Sequence, residues 1–124
     1  MTDIKLICLD SSAWLSYFFQ ESFEVKGIIE GEDVLMTSSI SLFEVKKRLL
    51  ILKKDPEHAL KLIKQRSNIL VPGFIIAETA ADLSLKHHLA AVDALIYASC
   101  RLSGAELITG DNDFRGLEKV RIIS

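Results

Sequence analysis

The chain has 124 residues, of which 49% are hydrophobic, so it fits one domain with enough apolar surface for a core. The formal net charge is −2, and no apolar run approaches the ~20 residues that a membrane span requires. The first residues, Met1 to Lys5, lack the layout of a signal peptide. We therefore expect one cytoplasmic domain over residues 1–124 with no membrane partner.

Strands and helices are predicted to alternate along the chain. Apolar runs predict strands at residues 4–9, 34–37, 69–71, 106–109 and 120–123. Apolar spacing, caps and breakers predict helices at 13–19, 23–29, from Ser38 or Ser39 to about 54, 56–66, 75–85 and about 89–102. Ser11 and Ser12 are the expected caps of the first helix. This order predicts a three-layer α/β/α sandwich with a mostly parallel five-stranded sheet.

The two cysteines lie far apart in the sequence and belong to no C-x-x-C pair. Cys8 is in the first predicted strand and Cys100 is in the last predicted helix. Buried free cysteines usually act as small hydrophobic residues. We therefore expect both to be core residues without a role in metal or redox chemistry.

Charge is unevenly distributed along the chain. Acids outnumber bases before residue 46, whereas residues 46–66 carry eight lysines or arginines and only two acids. A basic block of this kind can follow a phosphate backbone, and Lys46, Lys47 and Arg48 are the candidate RNA-binding residues. Charge alone favours the simpler interpretation, which is a pair of solvated helix faces.

Four acidic residues lie beside or inside apolar runs, where a carboxylate is costly unless its charge is compensated. Asp10 and Asp111 follow predicted strands, whereas Glu44 and Asp93 lie in predicted helices. Ligands of open parallel sheets bind at the carboxyl ends of the strands, where the strand order reverses. If the strands before Asp10 and Asp111 are neighbours, the two carboxylates meet there. Carboxylates brought together repel one another, and a hard cation such as Mg²⁺ neutralises them.

Each acid also has a simpler explanation on its own. Glu44 follows Ser41 at capping-box spacing, and Asp93 lies where a negative charge favours a helix N-terminus. Asp111 can belong to a turn. Asp10 is the hardest to explain structurally, because Ser11 and Ser12 are better placed to cap the helix. All of these explanations would have to hold together, which favours a shared site.

Other side chains with chemical potential are expected to be structural. His87 and His88 are predicted at the surface, because hard oxygen sites rarely recruit imidazole. The aromatic residues of the first helix can stack on bases, but core or dimer contacts fit their spacing better. These aromatic residues are Trp14, Tyr17, Phe18 and Phe19.

The motifs around these acids resemble those of the PIN-domain ribonucleases, and most of all the short VapC-type toxins. The matching segments are Asp10-x-Ser12, Glu44, Asp93-Ala94-x-Ile96-x-Ala98 and Thr109-x-Asp111-x-Asp113-Phe114. Their order and spacing agree over essentially the whole chain. One departure is His88, where many relatives have glycine, which bears on the local turn.

This resemblance implies an endoribonuclease that depends on Mg²⁺ or Mn²⁺. Asp10, Glu44, Asp93 and Asp111 would be catalytic, and Asp10, Asp93 and Asp111 would bind the metal. Accessory roles would fall to Asp113, Ser12 and Thr109. The implied partners are an RNA substrate, a second copy in a homodimer and a cognate antitoxin.

Alternatives from other classes fit less well. A phosphoacceptor receiver domain would need adjacent acids after the first strand and a lysine ending a late strand. A phosphatase with an aspartyl nucleophile would need D-x-D, where this chain has Asp10-Ser11-Ser12. An inactive PIN module that only binds RNA or protein is the other alternative, and metal-dependent RNA cleavage would separate it from a nuclease.

Overall fold

The protein is described from a computed structural model over residues 3–123. Met1, Thr2 and Ser124, which belong to the expected domain of residues 1–124, lie outside this range. Within residues 3–123 there are five strands, six α-helices and one short 3₁₀ helix at Asn112–Phe114. The strands are β1 (Leu6–Leu9), β2 (Val34–Ser38), β3 (Ser67–Leu70), β4 (Glu106–Thr109) and β5 (Val120–Ile122). The helices are α1 (Ser11–Phe18), α2 (Phe23–Ile29), α3 (Ser39–Ile51), α4 (Glu57–Arg66), α5 (Phe74–His87) and α6 (Ala91–Leu102).

All strand pairs of the sheet are parallel, in the order β3-β2-β1-β4-β5. β1 is the central strand, and its Leu9 pairs with Ile108 of β4. The strand order reverses between β1 and β4, so the two strands that precede Asp10 and Asp111 are neighbours at the switch point. The predicted α/β sandwich is confirmed, and the described sheet is entirely parallel.

Two hydrophobic cores lie on opposite faces of this sheet. Successive β1 residues point to opposite sides, so Ile7 and Leu9 join the core formed with α1 to α4, whereas Cys8 joins the core under α5 and α6. Trp14 is fully buried in the first core, and its Nε1 donates to Thr37 Oγ1 at 3.0 Å. Helices therefore cover both faces, which gives the three layers.

The first residues of α1 and α3 give Asp10 and Glu44 structural roles that differ from those predicted from the sequence. Asp10, not Ser11 or Ser12, is the N-cap of α1, because its side chain accepts from Ala13 N. Ser38 caps α3, which places Glu44 in the second turn and rules out the capping-box interpretation. Other boundaries shift by a few residues: β3 ends at Leu70, and α3 ends at Ile51.

The expectation of two free cysteines is wrong. Cys8 and Cys100 form a disulfide whose Cα atoms are 5.9 Å apart, and both are fully buried. The pairing joins the central strand to the helix that packs on the face to which Cys8 points. A separation of 92 residues concealed it, because only the strand order and the helix packing bring the two together.

The turn before α6 accounts for the departure at His88. His88 ends α5 in the left-handed conformation, with φ 57°, which glycine adopts at least cost. Ser84 closes this turn by donating its hydroxyl to Leu89 O at 2.6 Å. His88 is exposed as predicted, whereas His87 is half-buried against the ring of Tyr97.

None of the helices in the described part of the chain combines the length and the apolar character needed to cross a membrane.

Candidate active site

The adjacent ends of β1 and β4 bring together residues almost a hundred positions apart. Leu9 and Ile108 are paired, so Asp10 and Thr109 come next on neighbouring strands. Both are buried, and Thr109 Oγ1 donates to Asp10 Oδ2 at 2.5 Å. A carboxylate is therefore fixed at the point where the strand order reverses.

Three donors hold the Asp10 carboxylate. Ser12 Oγ donates to Oδ1 at 2.6 Å, Ala13 N donates to the same oxygen at 3.1 Å, and Thr109 supplies the third hydrogen bond. An ionised carboxylate has about four acceptor positions, so Oδ1 is fully used and Oδ2 keeps one lone pair. Asp10 can accept one further ligand without losing a hydrogen bond.

The same hydroxyl groups connect Asp10 to the loop that carries Asp111. Asp111 N donates to Thr109 Oγ1 at 3.0 Å, and Gly110 N donates to Ser12 Oγ at 2.8 Å. Asp111 then caps the 3₁₀ helix by accepting from Asp113 N at 2.9 Å. Two local hydrogen bonds and one to the start of α1 therefore set the direction of the loop.

Glu44 and Asp93 reach this end of the sheet from helices on its two sides. Glu44 lies on α3, where its Oε1 accepts from Ser11 Oγ at 3.1 Å. Asp93 lies in the first turn of α6, where the helix dipole favours a negative charge. The sequence-predicted acids thus approach from four different elements.

Three carboxylates come close enough to share one ion. Asp93, Asp111 and Asp113 each offer an oxygen, and these oxygens lie within 4.8 Å of one another. Asp10, which was predicted as a metal ligand, is not part of this group, whereas Asp113, which was predicted as accessory, is. Asp10 is nevertheless near enough for its charge to raise the pKa of Asp93.

Burial and mutual repulsion together raise the pKa values of these acids. Burial, followed by the charges of Asp111, Asp113, Glu44 and Asp10, raises the pKa of Asp93 to about 6. Burial also raises the pKa of Asp10, against the opposing effect of its three hydrogen bonds.

Glu44 shows the same trend. Burial raises its pKa, and the charges of Asp10 and Asp111 act in the same direction, against the hydrogen bond from Ser11. Within residues 3–123, no lysine or arginine forms an ion pair with Asp10, Glu44, Asp93, Asp111 or Asp113.

These properties fit a hard divalent cation. All of the offered ligand atoms are carboxylate oxygens, which Mg²⁺ and Mn²⁺ prefer over nitrogen or sulfur donors. A bound cation would also offset the repulsion, which adds to burial in raising the pKa values and which no lysine or arginine among residues 3–123 relieves by an ion pair. The half-buried Asp93 and Asp111 and the exposed Asp113 leave one side of the group open to solvent.

A basic and aromatic groove lies beside the acids, along α1 and α3. The candidate RNA-binding residues Lys46, Lys47 and Arg48 are all exposed on α3. Lys47 and Arg48 line a groove of about 320 Å³ together with Glu44, whereas Lys46 is not among its lining residues. Lys47 Nζ lies 5.9 Å from the ring centroid of Phe43.

A larger cleft, of about 610 Å³, lies elsewhere between α1, α2 and α4. Tyr17, Phe18 and Phe23 line it, and it contains none of the clustered acids. The clustered acids therefore favour the smaller groove over this cleft as part of the functional site. Trp14 belongs to the core and reaches neither surface.

Sequence reasoning missed the Ser11–Glu44 hydrogen bond, the position of Asp113 in the three-carboxylate group, and Phe43. A signal for Phe43 exists, because it lies off the buried α3 stripe of Val45 and Leu49 and is 65% exposed. The Ser11 contact depends on the pairing of β1 with β2, which leads into α3, and the Asp113 position depends on where α6 lies relative to the loop after β4; no local pattern contains either.

Fold and site together define an α/β domain with carboxylates clustered at the switch point of a parallel sheet. A family model for the PIN domain matches residues 7–120. The chain therefore belongs to the PIN domain family. Among curated proteins, none matches the chain.

Solved structures share the fold over nearly the whole chain. A toxin–antitoxin complex from Klebsiella pneumoniae is 26% identical, with a TM-score of 0.78, over 93% of this chain and 95% of that chain. VapBC2 from Rickettsia felis, bound to a DNA fragment from its promoter, is 15% identical, with a TM-score of 0.79, over 96% of this chain and 99% of that chain. VapC20 from Mycobacterium tuberculosis, a toxin that cleaves the sarcin–ricin loop, is 21% identical, with a TM-score of 0.69, over 93% of this chain and 98% of that chain.

Proposed function

We propose that the protein is a metal-dependent endoribonuclease, and that it is the toxin of a toxin–antitoxin pair. The observation that carries this proposal is the group of Asp93, Asp111 and Asp113 oxygens within 4.8 Å, with Asp10 and Glu44 close enough to raise the Asp93 pKa. Membership of the PIN domain family and likeness to toxin–antitoxin structures support it.

Asp93, Asp111 and Asp113 would hold Mg²⁺ or Mn²⁺, with Asp10 contributing through the free lone pair on Oδ2. Such an ion supplies an activated water and neutralises charge on the phosphoryl oxygens. The raised pKa of Glu44 suits it to accept a proton from an attacking water at Oε2, the oxygen that Ser11 does not contact.

Ser12 and Thr109 act through Asp10. Their hydroxyl protons both point to its oxygens, and their own oxygens accept from Gly110 N and Asp111 N. The two hydroxyl groups therefore fix the separation of Asp10 from the Asp111 loop. Positioning of this kind gives carboxylates the geometry that a metal requires.

The proposed partners follow from the same site. A cytoplasmic RNA would be the substrate, and an antitoxin would inhibit by placing an arginine among the acids, because a guanidinium pairs with carboxylates through two hydrogen bonds. The resemblance of the chain to VapC-type toxins also leads us to propose a homodimer.

Cleavage of RNA in the presence and absence of divalent metal tests the function. We expect the wild-type protein to cleave single-stranded RNA with Mg²⁺ or Mn²⁺ and to stop when the metal is chelated. Asp111→Asn should abolish cleavage while the circular dichroism spectrum stays unchanged. Asp82→Asn is the matched control, because Asp82 is exposed on α5 and does not affect the pKa of Asp93.

Equal cleavage by wild type and Asp111→Asn would refute the proposed mechanism. RNA binding without cleavage under any metal condition would instead indicate the inactive PIN module that only binds.

A further inference from the structure

The groove beside the acids is continuous with them. Ser11 and Glu44, which share a hydrogen bond within the acidic site, also line this groove. Leu15, Phe43 and Ile51 form its apolar part. If the reacting group of a ligand lies at the carboxylates, the part of the ligand next to that group therefore lies in the groove.

The outer surface of α3 combines an aromatic ring with positive charge. Phe43 and Ile51 are 65% and 60% exposed, so this face of α3 offers apolar surface to a ligand. Phe43, Lys47 and Ile51 follow one another at four-residue spacing, so they lie along one face of the helix. Arg48 adds a second cation to the same groove.

This combination matches the chemistry of a nucleotide. A base offers a flat π-surface for the Phe43 ring, and its phosphate offers a negative charge for Lys47. The ammonium of Lys47 now lies 5.9 Å from the ring centroid. When it engages a phosphate it leaves that position, and a base can then cover the ring. The groove volume of about 320 Å³ is within the range of small-ligand sites.

We propose that Phe43 and Lys47 form a nucleobase subsite that holds one unpaired RNA nucleotide next to the scissile phosphate. This inference rests on the proposed function and gives a physical reason for the expected single-stranded substrate, because the base faces of a duplex are stacked and unavailable. Phe43 stacks on the base, and Lys47 binds the phosphate that joins this nucleotide to the next. Glu44 marks the end of the subsite at which the RNA strand reaches the carboxylates.

A binding experiment under metal chelation isolates the subsite from cleavage. The probes are a short fluorescent single-stranded RNA of mixed sequence and an abasic ribose-phosphate strand of the same length. We expect Phe43→Ala to weaken RNA binding about fivefold or more, because base–aromatic stacking has that magnitude. It should leave binding of the abasic strand unchanged, and Phe43→Trp should restore the preference for RNA.

Two matched controls belong to the same series. Phe23→Ala removes an aromatic side chain that is 93% exposed but lies in the larger cleft, which contains none of the clustered acids, and it should change nothing. Lys47→Ala should lower the slope of log affinity against log salt by about one, whereas Lys46→Ala, outside the groove, should lower it less.

Failure of the subsite and failure of the nuclease give different results. Unchanged RNA binding by Phe43→Ala, in a protein that cleaves RNA, overturns the subsite alone and leaves the groove to a protein partner. Phe43-dependent binding without metal-dependent cleavage supports the subsite and refutes the nuclease. A wild-type protein that neither binds nor cleaves RNA overturns both.

Discussion

Asp93 has a pKa well above its ordinary value, and this makes stability depend on pH. Its pKa rises from 3.8 to about 6 on folding. Between these values the folded chain keeps a proton that the unfolded chain loses. The metal-free protein should therefore lose stability as the pH rises from about 4 to 6, and the raised pKa values of Asp10 and Glu44 act in the same direction.

Chemical unfolding at several pH values, in the presence of a chelator, measures this effect. Asp93→Asn should reduce the change in the free energy of unfolding between about pH 4 and pH 6, whereas Asp82→Asn should leave that change as it is in the wild type. Added Mg²⁺ should restore stability above pH 6, because binding to the folded state stabilises it by mass action. Identical pH profiles for wild type and Asp93→Asn would contradict the raised pKa of Asp93.

Asp10 combines two functions in one side chain, as helix cap and as site carboxylate. Asp10→Asn keeps an N-cap, because asparagine caps as well as aspartate, and removes the negative charge. It should weaken Mn²⁺ binding, measured by titration calorimetry, and abolish RNA cleavage without lowering the melting temperature of the metal-free protein. Relief of repulsion should even raise that temperature.

Asp10→Ala is the comparison that separates the two functions. It removes the cap as well as the charge, and should cost about 0.5–2 kcal/mol of stability relative to Asp10→Asn. Metal affinity that is the same in wild type and Asp10→Asn would exclude Asp10 from the metal site.

At the scale of elements, the Cys8–Cys100 disulfide joins β1, which precedes Asp10, to α6, which contains Asp93. Closing a loop of this length restricts the unfolded chain, and disulfides typically add about 2–4 kcal/mol. Reduction by a soluble thiol or phosphine, once unfolding exposes the bond, should lower the denaturation midpoint. The variant Cys8→Ala/Cys100→Ala should show one midpoint with and without reductant. A wild-type midpoint that is insensitive to reductant would show that the bond does not contribute.

The elements themselves follow well from local sequence. α2 and β4 have the predicted bounds, because Ser22 and Gly31 enclose one and a short apolar run before Gly110 defines the other. Parallel packing follows from the alternation of strands and helices. The neighbouring positions of Asp10 and Asp111 required only that β1 and β4 be adjacent at the switch point.

Local sequence could not show which of several possible partners a side chain contacts. Ser11 and Ser12 looked like the caps of α1, but Ser11 donates to Glu44 and Ser12 donates to Asp10, so their hydroxyl groups serve the site. The cysteine pair likewise depends on α6 lying across β1. In each case a long-range contact decided between two locally acceptable arrangements.

At the scale of the whole molecule, assembly is the main prediction. We expect the protein to sediment as a dimer at micromolar concentration, and the antitoxin to bind through an arginine that enters the acidic site. Trp14 is fully buried and cannot contribute to a dimer contact, so Trp14→Phe should leave the sedimentation coefficient unchanged. A species that sediments as a monomer at every concentration would refute the dimer.

Substituting the inserting arginine of the antitoxin by glutamine should weaken the complex and restore RNA cleavage. Asp111→Asn on the toxin side should weaken the complex less in that background, because the two changes remove the same pair. Fully additive losses would place the arginine elsewhere.

The central position of β1 has a consequence for synthesis. A ribosome produces β1 first, but the edge that β4 covers stays unpaired until residues 106–109 have emerged. Until then Asp10 lacks the Thr109 hydroxyl, and Asp93 lacks both of the carboxylates with which it groups. A growing chain therefore has no assembled carboxylate group for most of its translation, and we expect the proposed RNA cleavage to begin only once β4 has paired with β1.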